Sequence, residues 1–410
     1  MSQNYRELPK KNFIETRDLL LEHIGEPGFE NVPLEQCCGR AVARSYFAPD
    51  AVPNFARSPY DGFALRSVDV ELASPDNPVV LKIVDEIRPG RFSSKILSKG
   101  EAVKILTGAP VPQTADCVIM HEKTSFTSTA VTVTESMKPQ QNVVQIGEAQ
   151  SKGCLLLSKG TVIDPAAAGL LASQGFSEIC TYRKPRIGII STGDEVQEIG
   201  RHLAFGKVYN ANRYLLAAEL QRLRFDYEYL GHCSDDLEQI AELLGTGLQQ
   251  CDAVITTGGV SAGDYDYVPE AMVRCGVDVL AFGVKMKPGM ACCYGMKNGR
   301  LCIALSGNPA SAMTNFYAVA APLLKKMAGY ATVCQKMFKV KMLNDFSKTA
   351  RADRLLRGTL VLENGVCEMV ASREQGNAVI SSMSGSDLLA VVPAGHGPVA
   401  SGEILDAFLI

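Results

Sequence analysis

The 410 residues are 46% hydrophobic and 21% charged, close to the average soluble globular chain, which excludes a wholly disordered protein. Forty-one Lys+Arg against 44 Asp+Glu leave a formal net charge of -3. That excludes a dominant electrostatic nucleic-acid footprint but leaves room for a local basic pocket.

At roughly 150 residues per domain the length fits two to four domains, and no apolar run reaches the roughly 18 residues that would span a bilayer. The N-terminal stretch MSQNYRELPKKNFIETRDLLLEHI carries acids and is amphipathic, unlike a secretory signal. The expectation is a cytoplasmic protein with neither a membrane nor a nucleic-acid partner. Residues 12–24 place Phe13, Ile14, Leu20, Leu21 and Ile24 near one helical face, with Gly25 as the stop. From about 29 to 152, Pro and Gly punctuate short β-branched runs such as VTVTE, predicting strands and turns. IDPAAAGLLASQGF then predicts a helix capped by Asp164, opened by Pro165 and stopped by Gly175.

Between about 184 and 330 the rhythm is β-α-β. The strand RIGIIS (186–191) is nearly all apolar, as expected when both faces are covered. A helix over about 212–224, a strand at YEYLG and a helix from Asp235 or Asp236 follow. DAVITT (252–257) leads into a glycine-rich turn and another helix, and CIALS (302–306) into a long helix opened by Pro309. The pattern predicts a doubly wound α/β sheet. After Gly329, short strands with turns such as ENGV and PAGHG predict a small β-barrel or sandwich. The 13 cysteines include no C-x-x-C and the five histidines no H-x-x-x-H. A metal framework is therefore not indicated, and residues such as Cys117, Cys180 and Cys302 read as buried, reduced thiols.

In an open α/β sheet, ligands bind beyond the carboxyl ends of the strands, where this sequence places three polar turns. Ser191-Thr192-Gly193-Asp194-Glu195 offers hydroxyls and two acids around a glycine, a place for a phosphate or hydrated metal. Thr256 to Asp266 contains Gly258, Gly259, Ser261 and Gly263, whose amides could face an anion, with Asp264 and Asp266 close enough for Mg²⁺ to bridge carboxylate and phosphate. Leu305-Ser306-Gly307-Asn308-Pro309 is the third. Just upstream, Lys285 and Lys287 stand two apart on an extended segment and so point the same way, a compact positive spot. Tight turns, helix caps and solvated lysines are the structural alternatives for each; three anion-ready turns on successive strands favour a phosphorylated ligand. The strings SPYDGFA and LTGAPVP present Asp61 and Thr107 on turns.

These strings, with STGDE, N-x-N-R (Asn210 to Arg213), TGGVS-x-G-x-x-D, MKPG and GNP in the same order, resemble the molybdopterin molybdenumtransferases over essentially the whole chain. The resemblance implies four domains. They are an elongated domain I in two segments (8–48 and 153–182), an inserted β-rich domain II (49–152), an α/β molybdopterin-binding domain III (183–330) and a C-terminal β-barrel domain IV (335–410). It implies a homodimer with the active site between domain III of one subunit and domain II of the other. The implied reaction takes adenylylated molybdopterin, supplied by a molybdopterin adenylyltransferase, and molybdate, and releases AMP in a Mg²⁺-dependent step. Glu195, Asp235 or Asp236, and Asp266 would hold the metal; Lys285 and Lys287 would offset oxyanion charge. Asn212 and Arg213 would hold the far end of the ligand, and Asp61 and Thr107 would close the site.

Where the family usually has R-x-x-G-E-D this chain has the stretch Val143 to Ala149, K-P-G-K is Lys287-Pro288-Gly289-Met290, and a basic residue usual slightly earlier is Gly283. Fewer positive groups imply weaker anion capture. Two other readings stay open on sequence: a weakened family member acting as a molybdopterin-binding scaffold, and a transferase that uses tungstate.

Overall fold

A computed structural model describes residues 5–261, 263–363 and 365–410. Ala262 of the glycine-rich turn and Asn364 of the ENGV turn lie outside the described residues. The chain forms two compact units. The larger contains the chain up to Arg44, Lys159–Ala168 and Ser177–Ile410; the smaller contains Ser45–Ser158 and Gly169–Phe176.

The larger unit is organised by a six-stranded sheet in the order Asp226–Cys233, Arg186–Thr192, Ala253–Thr257, Arg300–Leu305, Cys292–Lys297, Asp278–Phe282. The first four strands are parallel; Cys292–Lys297 runs antiparallel to both its neighbours, so the edge strand Asp278–Phe282 points the same way as the first four. Side chains of the parallel strands divide between two cores. Ile187, Ile189, Ile255, Ile303 and Leu305 pack on one face against Leu216, Leu220 and Phe316. Ile190, Val254, Cys302 and Ala304 pack on the other against Ile240, Leu244 and Met272. This two-sided burial explains why the strands read as continuous apolar runs.

The antiparallel edge was not among the predicted strands. Its hairpin turns at Asn298-Gly299, both with positive φ, the pairing that a two-residue type I′ turn requires. The long helix expected from Pro309 is also divided, into Pro309–Asn315, a π-helical turn Phe316–Ala320 and Ala321–Met327. Pro322 accounts for the break, because it donates no amide and its ring crowds the carbonyl four residues back.

The helix Phe13–Glu22 opens with a full capping box, Asn12 and Glu15 each accepting the other's amide. Phe13, Leu20 and Ile24 are buried in the first core, whereas Ile14, expected on the same face, is exposed. Asp164 caps the helix Pro165–Ser173 by accepting the Ala167 amide at 2.7 Å. Beyond residue 337, five strands (Phe338–Met342, Asp353–Glu363, Val366–Ala371, Leu388–Val392, Ile404–Leu409) close into a barrel through the Asp353–Glu363 to Leu388–Val392 pairing.

The smaller unit is a β-rich half-barrel in the order Cys117–Met120, Gly62–Leu65, Glu101–Ile105, Val79–Ile87, Ala130–Val133, Thr124–Phe126. Its core includes Phe63, Leu65, Leu81 and Ile119. Burial governs the thiols of the β-rich and α/β cores. Burial pushes Cys117 and Cys292 up to about 12, which keeps them as inert protonated packing groups. Cys180, expected to be buried, is only half-buried.

Candidate active site

The parallel ladder fixes the site. Ser191 pairs with Thr257, and Thr257 with Leu305, so the three polar turns leave one edge of the sheet side by side. The Gly258 amide donates to the Leu305 carbonyl at 3.1 Å. Gly258 takes φ +99, and a Cβ there would stand 2.6 Å from the Thr192 carbonyl oxygen and 2.7 Å from its Oγ1. Only glycine lets the second turn approach the first this closely.

Between the turns lies a cleft of about 620 Å³. Ser191, Thr192 and Glu195 line it from the first turn, Gly258, Gly259, Ser261 and Asp266 from the second, and Gly307, Asn308 and Pro309 from the third. Asn212 also faces it and is buried. The Asn212 Nδ2 donates to the Gly307 carbonyl at 2.8 Å, while its Oδ1 has no partner among the described residues, leaving a buried acceptor available to a bound donor. Ala378 and Ile380, from the barrel loop after Ala371, complete the wall.

Glu195 and Asp266 also line an adjoining acidic hollow with Gly193, Asp235 and Asp264. Burial pushes the Asp235 carboxyl above its ordinary range, and the neighbouring Glu195, Asp194 and Asp266 carboxylates add to the rise. Such a group gains from a cation. Among the described residues no three His, Cys, Asp or Glu side chains stand gathered as a ready ligand set. Mg²⁺ does not need one: it keeps several waters and is bound through one or two carboxylates plus substrate phosphates. Glu195, Asp235 and Asp266 all border the hollow, and any two of them would meet that demand.

Asp236, the alternative metal ligand, is otherwise engaged. Its Oδ1 accepts the Gln239 amide at 2.9 Å and caps the helix Leu237–Gln250. Asp194 points its backbone amide at Asp235 Oδ2, 3.3 Å away, and its carbonyl accepts Lys207 Nζ; its side chain does not line the cleft. Arg213 also turns away. Its Nη1 donates to Glu198 at 2.7 Å and its guanidinium stacks 3.7 Å over the Tyr229 ring.

Glu198 is a residue that sequence reading missed. Burial raises its pKa, but hydrogen bonds from Asn210 and Tyr229 and the charge of Arg213 outweigh it and hold it below the usual carboxylate range. Asn210 Nδ2 also donates to Ser191 Oγ at 2.9 Å. Glu198 therefore fixes the floor of the cleft through Asn210. No local signal marks it, because its partners lie 12 to 31 positions away.

A second cavity of about 440 Å³ adjoins the cleft, sharing Val260, Ser261, Ala291, Ser306 and Asn308 with it. Lys287 lines it; Lys285 does not. The alternation expected of an extended segment is broken because the Met286 amide donates back to the Val284 carbonyl at 2.8 Å, a γ-turn centred on Lys285. The Lys285 amide is held instead by the Lys11 carbonyl at 2.7 Å.

In the smaller unit, Asp61 and Thr107 meet. Asp61 Oδ1 accepts the Thr107 amide at 2.7 Å and its hydroxyl at 2.8 Å, and this amide and then the hydroxyl hold the Asp61 carboxyl below its ordinary value. The two turns lock together because Ser58 exchanges backbone hydrogen bonds with Gly108 and Ala109.

Fold and clefts define a multidomain α/β and β-barrel protein with its ligand cleft at the carboxyl ends of parallel strands. Profiles of known families match accordingly: the MoeA N-terminal region (domain I and II) over residues 12–175, the "Probable molybdopterin binding domain" over 188–326, and the MoeA C-terminal region (domain IV) over 339–410. The chain is 32% identical to the molybdopterin molybdenumtransferase of Staphylococcus aureus (strain MRSA252) over 378 residues, 92% of this chain and 90% of the relative. It is 31% identical over 379 residues to that of Staphylococcus epidermidis (strain ATCC 35984), with the same coverage. The crystal structure of the molybdopterin biosynthesis moeA protein from Pyrococcus horikoshii OT3 superimposes with a TM-score of 0.84 at 26% identity, covering 98% of this chain and all of that one. The chain belongs to the molybdopterin molybdenumtransferase family, enzymes of molybdenum cofactor biosynthesis.

Proposed function

We propose that this enzyme takes adenylylated molybdopterin and molybdate and releases AMP as molybdenum is transferred to the pterin. The observation that carries the reading is the juxtaposition on one sheet edge of a polar cleft, an acidic hollow and a cation-lined cavity. The cleft, about 620 Å³ and lined by polar groups, suits a nucleotide-linked ligand. Glu195, Asp235 and Asp266 would hold Mg²⁺ beside its phosphates. When bound, the metal supplies charge neutralisation and polarisation of the phosphoryl oxygens.

The chain's own groups orient the substrate. The Gly259 amide and the Ser261 hydroxyl, both on the cleft wall, bear on the phosphoryl oxygens, and Asn212 Oδ1 accepts a donor from the ligand. Lys287 offsets the charge of the incoming oxyanion. Asp61 and Thr107 form a second functional pair, which the tight carboxylate–hydroxyl geometry keeps ionised. The enzyme works in the cytoplasm as a homodimer of four-domain subunits with the boundaries given above, and a molybdopterin adenylyltransferase feeds it. Incubating the purified protein with adenylylated molybdopterin, Mg²⁺ and molybdate, and following AMP and cofactor formation, tests the reading. Absence of both products under those conditions defeats it.

A further inference from the structure

The N-terminal segment lies against the antiparallel edge of the α/β sheet. Tyr5 meets Phe282 edge to face at 5.2 Å, and the Lys11 carbonyl accepts the Lys285 amide at 2.7 Å. These ties hold the chain on both sides of Lys10, whose side chain runs over Gly283. A Cβ at position 283 would stand 2.8 Å from Lys10 Cε and 3.3 Å from its Cδ and Nζ. Gly283 also has φ +75, a conformation that side-chain-bearing residues rarely adopt. The glycine is thus what leaves room for the lysine.

Lys10 lines the 440 Å³ cavity together with Lys287, Ser261, Ser306, Asn308 and Ser311. No Asp or Glu is among the described residues lining it, and no carboxylate pairs with Lys10 among the described residues. Two ammonium groups, hydroxyls and an amide around a small hollow, with no opposing charge, select a compact anion. Donors of this kind, spread around the hollow, suit a tetrahedral oxyanion better than a planar carboxylate, which favours a bidentate arginine fork. The cavity opens on the nucleotide cleft through the residues the two share, so an oxyanion held there sits beside the bound pterin.

We propose that Lys10 is a substrate-binding residue that reaches in from the N-terminal segment and, with Lys287, holds the tetrahedral oxyanion. This rests on the transferase reading above. It also changes what Gly283 means: the position has not simply lost a charge, because Lys10 brings one from elsewhere in the chain.

The test compares the wild type with Lys10→Met and Lys10→Arg. Removing one cation from a partly solvated site is worth on the order of five-fold in affinity. Half-saturating molybdate in the AMP-release assay should therefore rise about that much in Lys10→Met, should stay near wild type in Lys10→Arg, and the gap should narrow at high ionic strength. Gly283→Ala, which displaces Lys10, should weaken molybdate use as Lys10→Met does, with little further loss when the two are combined. Calorimetric titration with molybdate alone gives the second arm, with circular dichroism confirming that each variant is folded. Identical molybdate dependence of wild type and Lys10→Met at both ionic strengths overturns the role of Lys10 while leaving the transferase reading intact. If the wild type releases no AMP, that reading fails instead, and the titration alone decides: equal molybdate binding by wild type and Lys10→Met overturns the proposal, weaker binding by the variant supports it.

Discussion

Gly258→Ala should be far more damaging than its single added methyl suggests. The residue sits at φ +99, and the new Cβ would lie 2.6 Å from the Thr192 carbonyl oxygen and 2.7 Å from Thr192 Oγ1. Forcing alanine into left-handed backbone costs roughly 1–2 kcal/mol. Overpacking against backbone that cannot give adds roughly 1–3 kcal/mol, for a total of about 3 kcal/mol. Gly299→Ala is the control: it also has positive φ, +78, but nothing lies within 4 Å of its Cβ, so only the first cost applies. Gly307→Ala is a second control, since its Cβ would meet only the Gly258 Cα at an ordinary 3.5 Å. Hydrogen exchange of the strands Arg186–Thr192 and Ala253–Thr257 reads the loss locally, which matters because a chain of several units need not unfold in one step. Equal protection in Gly258→Ala and Gly299→Ala would refute the argument that close approach of the two turns builds the cleft.

Asp235→Asn should raise the melting temperature of the Mg²⁺-free protein at neutral pH. A carboxyl whose folded pKa lies above its unfolded one contributes stability below the ordinary carboxylate range and loses it as pH rises through the folded value; the variant should flatten that part of the melting-temperature profile measured in EDTA, and an unchanged profile counts against the crowded-acid reading. Met290 is exposed at the rim of the 440 Å³ cavity, and Met290→Lys should lower the half-saturating molybdate concentration several-fold at low salt, by about 1 kcal/mol; no change would mean that this side chain does not face the anion. Arg357 is fully buried in the barrel, its Nη2 donating to the carbonyls of Glu374 and Gly376, and burial pushes it down to about 10. Arg357→Met should keep the barrel folded within about 1 kcal/mol while speeding hydrogen exchange in residues 372–380, the loop that lends Ala378 and Ile380 to the cleft; unchanged exchange there would show that the loop does not depend on Arg357.

What the sequence discloses here is mostly local. The Asp164 cap, the apolar strands and the glycine turns at their ends are each written within a few residues, and each is found where those residues place it. Asn298-Gly299 is equally local, a hairpin signal between two apolar runs, yet it is easily passed over in a stretch that otherwise alternates strand and helix. Adjacent residues mark the limit of resolution: Asp235 faces the acidic hollow and Asp236 caps the helix, a difference set by one position of backbone. Lys285 misleads for a related reason, since a single γ-turn reverses the alternation that would pair it with Lys287. Glu198, Lys10 and the loop holding Ala378 are invisible to local reading. Each joins the site through contacts with distant segments, and only the fold brings those together.

The most direct measurement is Mg²⁺-dependent AMP release from adenylylated molybdopterin in the presence of molybdate, by the wild type and by Asp266→Asn. Asp266 follows a glycine turn at a strand end, lines both the cleft and the acidic hollow, and belongs to neither hydrophobic core of the sheet. The account predicts robust AMP release and cofactor formation by the wild type, and loss of both in a variant that melts normally. Wild-type rates in Asp266→Asn at saturating Mg²⁺ would contradict it.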